Sequence, residues 1–212
     1  MRIFRLPKIV QPFFPSIICS FPLKSNHIFL TFDDGPDEVC TPQILELLQK
    51  ENVSASFFIL GEKAQCQFAL LKAIRQNGHT IGLHGYCHES LLFRSNKFIF
   101  DQLTLGKQII EDLLGEPVKY IRPPYGKFSP RFSKICKQLN LQIIMWNLMS
   151  YDFDLGFSDE WILKLMDTKA RSGDIIVFHD GHKNSQRTVN ILDSIIEILK
   201  KKNFLFEAIE NR

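Results

Sequence analysis

The sequence predicts a single-domain parallel α/β fold. Strand and helix signals alternate along almost the whole chain. The 212 residues are enough for one continuous core, and single-domain barrels often run to about this length. Every residue suited to chemistry falls just past the C-terminal end of a strand. In parallel barrels that edge carries the active site, and open doubly wound sheets obey a similar rule. Periodicity alone leaves both architectures standing.

The elements are read in order. Residues 1–26 form an irregular arm that packs Phe13, Phe14, Ile17 and Ile18 onto the domain. Ile28–Asp33 is a continuous apolar strand. Thr41 caps a helix with Pro42 at its first position, where a missing N–H costs nothing, and Ile44, Leu47 and Leu48 are its buried stripe. A second strand covers Ser54–Leu60. A helix over Gln65–Asn77 buries Leu70, Leu71 and Ile74, and Gly78 ends it. Thr80–Leu83 is a short third strand. A long helix spans Asn96–Leu114, with Ile99, Leu103, Ile110 and Leu113 inward and Gly115 as its stop. Val118–Ile121 is a fourth strand, and Ser129-Pro130 opens the next helix. Gln142–Trp146 is a fifth strand, residues 147–158 are a loop, and a helix starts near Asp159. Asp174–Phe178 is a sixth strand, Arg187–Lys201 a helix with Val189, Leu192, Ile196 and Leu199 inward, and Phe204–Glu207 a last strand.

Composition narrows the function classes. With 45% hydrophobic and 23% charged residues, the chain is an ordinary globular sequence. A net charge of +3 is too small to argue for nucleic acid. Five cysteines, Cys19, Cys40, Cys66, Cys87 and Cys136, are an odd number without a C-x-x-C pair, which fits free thiols in a reducing compartment. Met1-Arg2-Ile3-Phe4-Arg5 begins like a signal peptide, but Pro7, Pro12 and Pro15 interrupt the apolar stretch after it and no A-x-A-like cleavage site appears. No run approaches the roughly 20 apolar residues that a spanning helix needs. The expectation is a cytoplasmic protein without a stable membrane span, able to rest peripherally on a membrane through its basic, aromatic arm.

The chemistry centres on His84-Gly85-Tyr86-Cys87-His88. Two histidines four apart share one face if the segment is helical, so both can reach one metal ion. Taken alone the pair reads equally well as two surface histidines. Cys87 lies between them and points elsewhere. Thr31-Phe32-Asp33-Asp34-Gly35-Pro36 adds two carboxylates at a strand end. One Asp and two His make a three-ligand set with a position left for water, as catalytic sites require. The bland alternative is that Asp-Asp-Gly-Pro is turn chemistry. His179 ends an apolar strand on the same edge, where a general acid with a near-neutral pKa belongs. His182 reads as surface, His27 and His79 as structural, and Trp146 as core. Arg122 precedes two prolines that stiffen the backbone, so the Tyr125 N–H can serve as an oxyanion donor.

On these residues the chain resembles the polysaccharide deacetylases, the NodB-homology domain or carbohydrate esterase family 4. The likeness runs from Ile28 to Ile209. It rests on Thr31–Gly35, on His84 to His88, on Arg122-Pro123-Pro124-Tyr125-Gly126, on Asp152-Phe153 where the family usually has Asp-Trp, and on Val177-Phe178-His179 where it has Leu-x-His. The resemblance implies a distorted (β/α)7 barrel over residues 27–212. It implies that Asp34, His84 and His88 hold one divalent metal, zinc first, with cobalt, nickel or manganese as alternatives. It makes Asp33 the base that deprotonates the metal-activated water and Arg122 the residue that orients Asp33. The Tyr125 N–H becomes an oxyanion donor, His179 the acid for the leaving amine, and Asp152 the group that tunes it. Phe153 reshapes the wall near His179, and Val177 makes a smaller change at the acetyl-methyl pocket. The expected activity is removal of N-acetyl groups from N-acetylated glycans such as chitin-like oligomers or peptidoglycan. The alternatives are the same site acting on a cyclic amide or formylated amine, and an inactive carbohydrate-binding relative.

Overall fold

The computed structural model describes residues 17–21 and 26–210. The strands are β1 (Ile17–Ile18), β2 (His27–Asp33), β3 (Ser56–Ile59), β4 (Thr80–Leu83), β5 (Tyr120–Ile121), β6 (Gln142–Ile144), β7 (Leu148–Met149), β8 (Ile175–His179) and β9 (Leu205–Phe206). They lie in the order β1-β6-β5-β4-β3-β2-β8-β7, with β9 paired to β2. All these pairings are parallel. The sheet curls into the expected distorted barrel. Among the described residues its seam is closed by single contacts rather than a ladder: Ser20 bridges Asp174 in antiparallel fashion, and the Phe21 N–H donates to the Gly173 carbonyl at 2.9 Å.

The helices are α1 (Cys40–Lys50), α2 (Gly61–Cys66), α3 (Phe68–Gln76), α4 (Asn96–Leu114), α5 (Pro130–Gln138), α6 (Asp159–Lys169) and α7 (Ser185–Lys201). Strand alternation divides the core in two. Ile28, Leu30 and Phe32 of β2, Phe57 and Ile59 of β3, and Ile176 and Phe178 of β8 face outward and pack with helix residues such as Ile44, Leu48, Ile99, Leu103, Leu192 and Ile196. Each such side chain, fully buried, is worth about 1.5–3 kcal/mol. Phe29, Phe58, Tyr120, Ile144, Ile175 and Ile209 form a second cluster. These inward positions fill the base of the barrel, and the Ile209 N–H donates to Ser56 Oγ at 2.8 Å. Gly82 makes room for this filling, since a Cβ there would sit 2.7 Å from the Phe58 ring.

Several local expectations need correction. The arm is not irregular at Ile17–Ile18, which add a strand to β6; Phe13 and Phe14 lie outside the described residues. Thr41 is not the cap of α1. The Asp37 carboxylate accepts from the Val39 and Cys40 N–H groups instead, so the helix starts earlier. The helix read over Gln65–Asn77 is two helices broken at Gln67 (φ −127°, ψ 48°). Strand β5 begins only at Tyr120, because the Val118 N–H is taken by the Glu111 carboxylate at 2.8 Å rather than by a neighbouring strand. The loop over 147–158 contains β7, too short to show a period. His84–His88 is not helical.

Where the expected caps are present, they act as read. Ser129 accepts from the Phe132 N–H ahead of Pro130, and Gly115 ends α4 in the left-handed conformation (φ 70°). His79 is buried, accepts from the Ala55 N–H through Nδ1, and is held down to about 4 by that burial.

Candidate active site

The C-terminal ends of the parallel strands carry the site. Phe29, Thr31 and Asp33 of β2 share the inward side, so the acid sits at the top of a column that begins as apolar filling. Arg122 follows β5 and turns into the same column, where it is fully buried. Its Nη1 donates to Asp33 Oδ1 at 2.7 Å and to Thr31 Oγ1 at 2.8 Å. Nε and Nη2 donate to the Ile144 and Met145 carbonyls at 3.3 and 3.2 Å. The guanidinium lies 4.1 Å from the Phe58 ring centroid. Burial pulls the Arg122 pKa down and Asp33 pulls it back up. An arginine nevertheless stays charged, so Asp33 faces a fixed cation.

Asp34 leaves the strand in the left-handed conformation, φ 74°. The chain thereby turns the second carboxylate into the cavity as well, rather than to the far side of the sheet. Loop 84–88 reaches it without a helix. Gly85 takes φ 94°, and α2 grips the loop with its first amides, Gly61 N–H to the Gly85 carbonyl at 3.0 Å and Glu62 N–H to the Tyr86 carbonyl at 2.9 Å. Gly106 of α4 packs against the same loop, where a Cβ would lie 3.1 Å from the Tyr86 nitrogen. The histidine rings come to 5.4 Å between centroids. Cys87 points away, with Sγ donating to Gln102.

His84 Nε2 and His88 Nε2 lie 3.3 and 3.2 Å from Asp34 Oδ1, and the three ligand atoms fall within 4.8 Å of one another. His84 Nδ1 lies 2.9 Å from the Arg122 carbonyl. A carbonyl only accepts, so Nδ1 carries the proton and the Nε2 lone pair faces Asp34. This is the usual outer contact of a ligating histidine. Asp34 Oδ1 is buried without a hydrogen-bond partner among the described residues, which would be costly in a site built only of protein. Burial opposes the Asp34 charge, but the neighbouring His84, His179 and His88 hold its carboxyl well below the ordinary range. Burial lowers the His88 pKa, which favours the neutral, ligating form. The donor set therefore fits a divalent cation.

On the opposite wall, His179 closes β8. Asp152 Oδ1 meets its Nδ1 at 2.9 Å, and Oδ2 accepts its backbone N–H at 2.7 Å. Ser150 and Thr188 donate to the same carboxylate at 2.7 and 2.6 Å. Burial disfavours the imidazolium. The Asp152 charge and hydrogen bond outweigh it, with help from Asp33 and Asp34, and lift His179 to about 9.

Tyr125 has φ 59°, is exposed at the rim, and stacks its ring 4.3 Å from that of His88. All eight expected site residues gather in one place except that Arg122 and Asp152 stand behind it. Asp33, Asp34, His84, His88, Tyr125 and His179 line a cavity of about 250 Å³ together with Gly126, Trp146, Met149, Phe153 and His182. A cavity of about 280 Å³ beside the Arg75–Glu116 pair lies at the other end of the strands and contains no such set.

Three expectations fail here. His182 is not simply surface, and Trp146 is not core alone, since both line the cavity. The signal for each was present, as both follow strand ends on the edge that carries the rest. Val177 is buried at 1% exposure and lies outside the cavity lining, while its strand partner Met149 takes the wall position. Phe153 is on the wall as expected, edge-on to His179 with centroids 5.0 Å apart.

Asp180 went unnoticed in the sequence. It is fully buried behind Asp34, and burial pushes its carboxyl up to about 7. No helix among the described residues is long and apolar enough to cross a membrane.

Comparison with known proteins agrees with this geometry. The family described as polysaccharide deacetylase matches residues 22–144. A peptidoglycan-N-acetylglucosamine deacetylase of Bacillus cereus is 36% identical over 190 residues, covering 88% of this chain and 68% of that protein. The crystal structure of the Bc1960 peptidoglycan N-acetylglucosamine deacetylase superposes with a TM-score of 0.87 at 31% identity, over 98% of this chain and 100% of that one. The chain is also similar to BA3943 of Bacillus anthracis, described as a CE4 family pseudoenzyme, with a TM-score of 0.84 at 26% identity over 92% of this chain and 68% of that one.

Proposed function

The chain belongs to the polysaccharide deacetylase family, and from that premise we propose that it hydrolyses the acetamide of N-acetylated sugar units in a glycan, with a divalent ion held by Asp34, His84 and His88. The observation that carries the reading is the sharing of one cavity by a carboxylate fixed on Arg122, a histidine fixed on Asp152 and a three-ligand donor set. A peptidoglycan or chitin-like substrate is the class supported by the described activities of relatives, peptidoglycan deacetylases and a chitooligosaccharide deacetylase.

An amide has a weakly electrophilic carbonyl and a poor leaving group, so both ends of the reaction need help. Asp34, His84 and His88 would hold a divalent ion, zinc first, which would supply Lewis acidity toward the water and the acetyl carbonyl. Asp33 takes the proton from the attacking water. The buried Arg122 cation keeps it aimed, since its Nη1 also binds Thr31 and cannot swing away. The Tyr125 backbone N–H is the protein donor for the developing oxyanion. His179, held protonated by Asp152, gives its proton to the amine nitrogen as the C–N bond breaks. The free amine sugar and acetate leave.

The inactive alternative draws weight from the similarity to a pseudoenzyme. Against it, a base and an acid both stand on this cavity wall. Acetate release from N-acetylglucosamine oligomers and peptidoglycan fragments, with added zinc or cobalt, tests the reading. Metal-dependent acetate release is expected. Metal binding without acetate from any glycan overturns the substrate class, and turnover of formylated or cyclic amides would then identify the replacement.

A further inference from the structure

Asp34 holds a left-handed φ of 74°, a conformation that a non-glycine residue rarely keeps unless its surroundings fix it. The fixing contacts come from one dipeptide at the end of the neighbouring strand β8. Asp180 donates its backbone N–H to the Asp33 carbonyl at 3.0 Å. Its carboxyl lies face-on to Gly35: a Cβ there would meet Asp180 Oδ2 at 2.2 Å and Oδ1 at 2.5 Å. Gly181 presses on the ligand residue itself, where a Cβ would meet the Asp34 carbonyl at 2.0 Å.

The clamp is itself braced from two helices. Thr41 of α1 donates its hydroxyl to Asp180 Oδ2 at 2.6 Å, and Lys63 of α2 donates to the Gly181 carbonyl at 3.0 Å. On the other side of the turn, the Leu60 N–H donates to the Gly35 carbonyl at 3.0 Å. Asp180 is fully buried, yet its Oδ1 has no partner among the described residues. A buried polar atom left unpaired is a cost that a purely structural residue would shed by becoming apolar.

We propose that Asp180 is a positioning residue for metal binding: with Gly181 it clamps the Asp33-Asp34-Gly35 turn so that the Asp34 carboxylate meets His84 and His88. This rests on the reading of Asp34, His84 and His88 as metal ligands. Asp180 touches neither the substrate nor the ion, and acts through Asp33 and Gly35, the two residues that flank Asp34.

The test is zinc titration against a chromophoric chelator for the wild type, Asp180→Ala, Asp180→Asn and Thr41→Val, with circular dichroism and thermal melting alongside. Asp180→Ala is expected to weaken zinc about 10–100-fold, the range for residues that orient ligands. Asp180→Asn, which keeps the shape against Gly35, is expected to recover most of that affinity. Thr41→Val is expected to lose a few-fold. A folded Asp180→Ala with wild-type zinc affinity overturns the proposal. Should that variant not fold, Thr41→Val decides, and unchanged affinity there overturns it. A wild type that binds no zinc would instead sink the ligand reading on which the proposal stands.

Discussion

Asp33 and Asp34 are neighbours in the chain, both buried and both on the cavity wall, yet their surroundings are opposite. Asp33 is completed by the protein: Arg122 sits against it at 2.7 Å and is itself held by two carbonyls and Thr31. Asp34 is aimed at two imidazole nitrogens, and its Oδ1 has no hydrogen-bond partner among the described residues. Under the proposed function, the contrast lets one Asp-Asp pair serve two tasks. A base must keep one geometry throughout, so its counter-charge is built in. A metal ligand must leave its lone pair to an outside cation.

The widest separation of the two regions is expected from His84→Ala. Removing that ligand should abolish zinc binding and, with it, acetate release, while the Asp33–Arg122 pair and the melting temperature of the metal-free protein change little. Chelation of the wild type should do the same and reverse on adding zinc.

The converse variant is Arg122→Ala. It strands the Asp33 charge in the barrel and is expected to cost about 3–5 kcal/mol of stability, read from the denaturation midpoint. Adding Asp33→Asn should recover part of that loss, because the two changes act on one interaction. No such recovery is expected when Asp34→Asn is combined with Arg122→Ala.

A third variant moves to the proposed acid. His179 is lifted from its ordinary 6.5 to about 9 chiefly by Asp152 working against burial. The protonated form is therefore present below that value and lost as pH rises through it. The matching stability is full below pH 6.5 and fades as pH approaches about 9. Asp152→Asn should shift the alkaline limb of the kcat profile to lower pH and leave zinc affinity unchanged, as a pH series of acetate release will show.

The smallest effect is expected from Phe153→Trp, which enlarges the ring lying edge-on to His179. A change in KM of a few-fold with kcat nearly unchanged would mark a wall residue; a large drop in kcat would mean that the ring positions His179.

Most of the site could be read from the sequence because its residues sit at strand ends, where apolar runs stop abruptly at Asp33, His84, Arg122 and His179. Helix ends with Ser-Pro or Gly signals were equally plain, as at Ser129 and Gly115. Tertiary contacts hid the rest. The His84–His88 spacing suggested a helix, but α2 amides and Gly106 shape a loop that brings the rings together instead. β7 and β1 are two residues each, too short for any period. Asp180 carries no signal in the sequence, since only the fold reveals how closely it packs on Gly35. His182 and Trp146 needed the cavity to be visible.

The most direct measurement sets Asp33→Asn beside Asp34→Asn, with zinc affinity and acetate release followed on the same preparations. The account predicts that Asp33→Asn binds zinc like the wild type and loses about 10²–10⁴-fold in turnover, whereas Asp34→Asn loses zinc first and turnover with it. Equal loss of zinc in both variants, or wild-type turnover in Asp33→Asn, would contradict the division of labour between the two carboxylates.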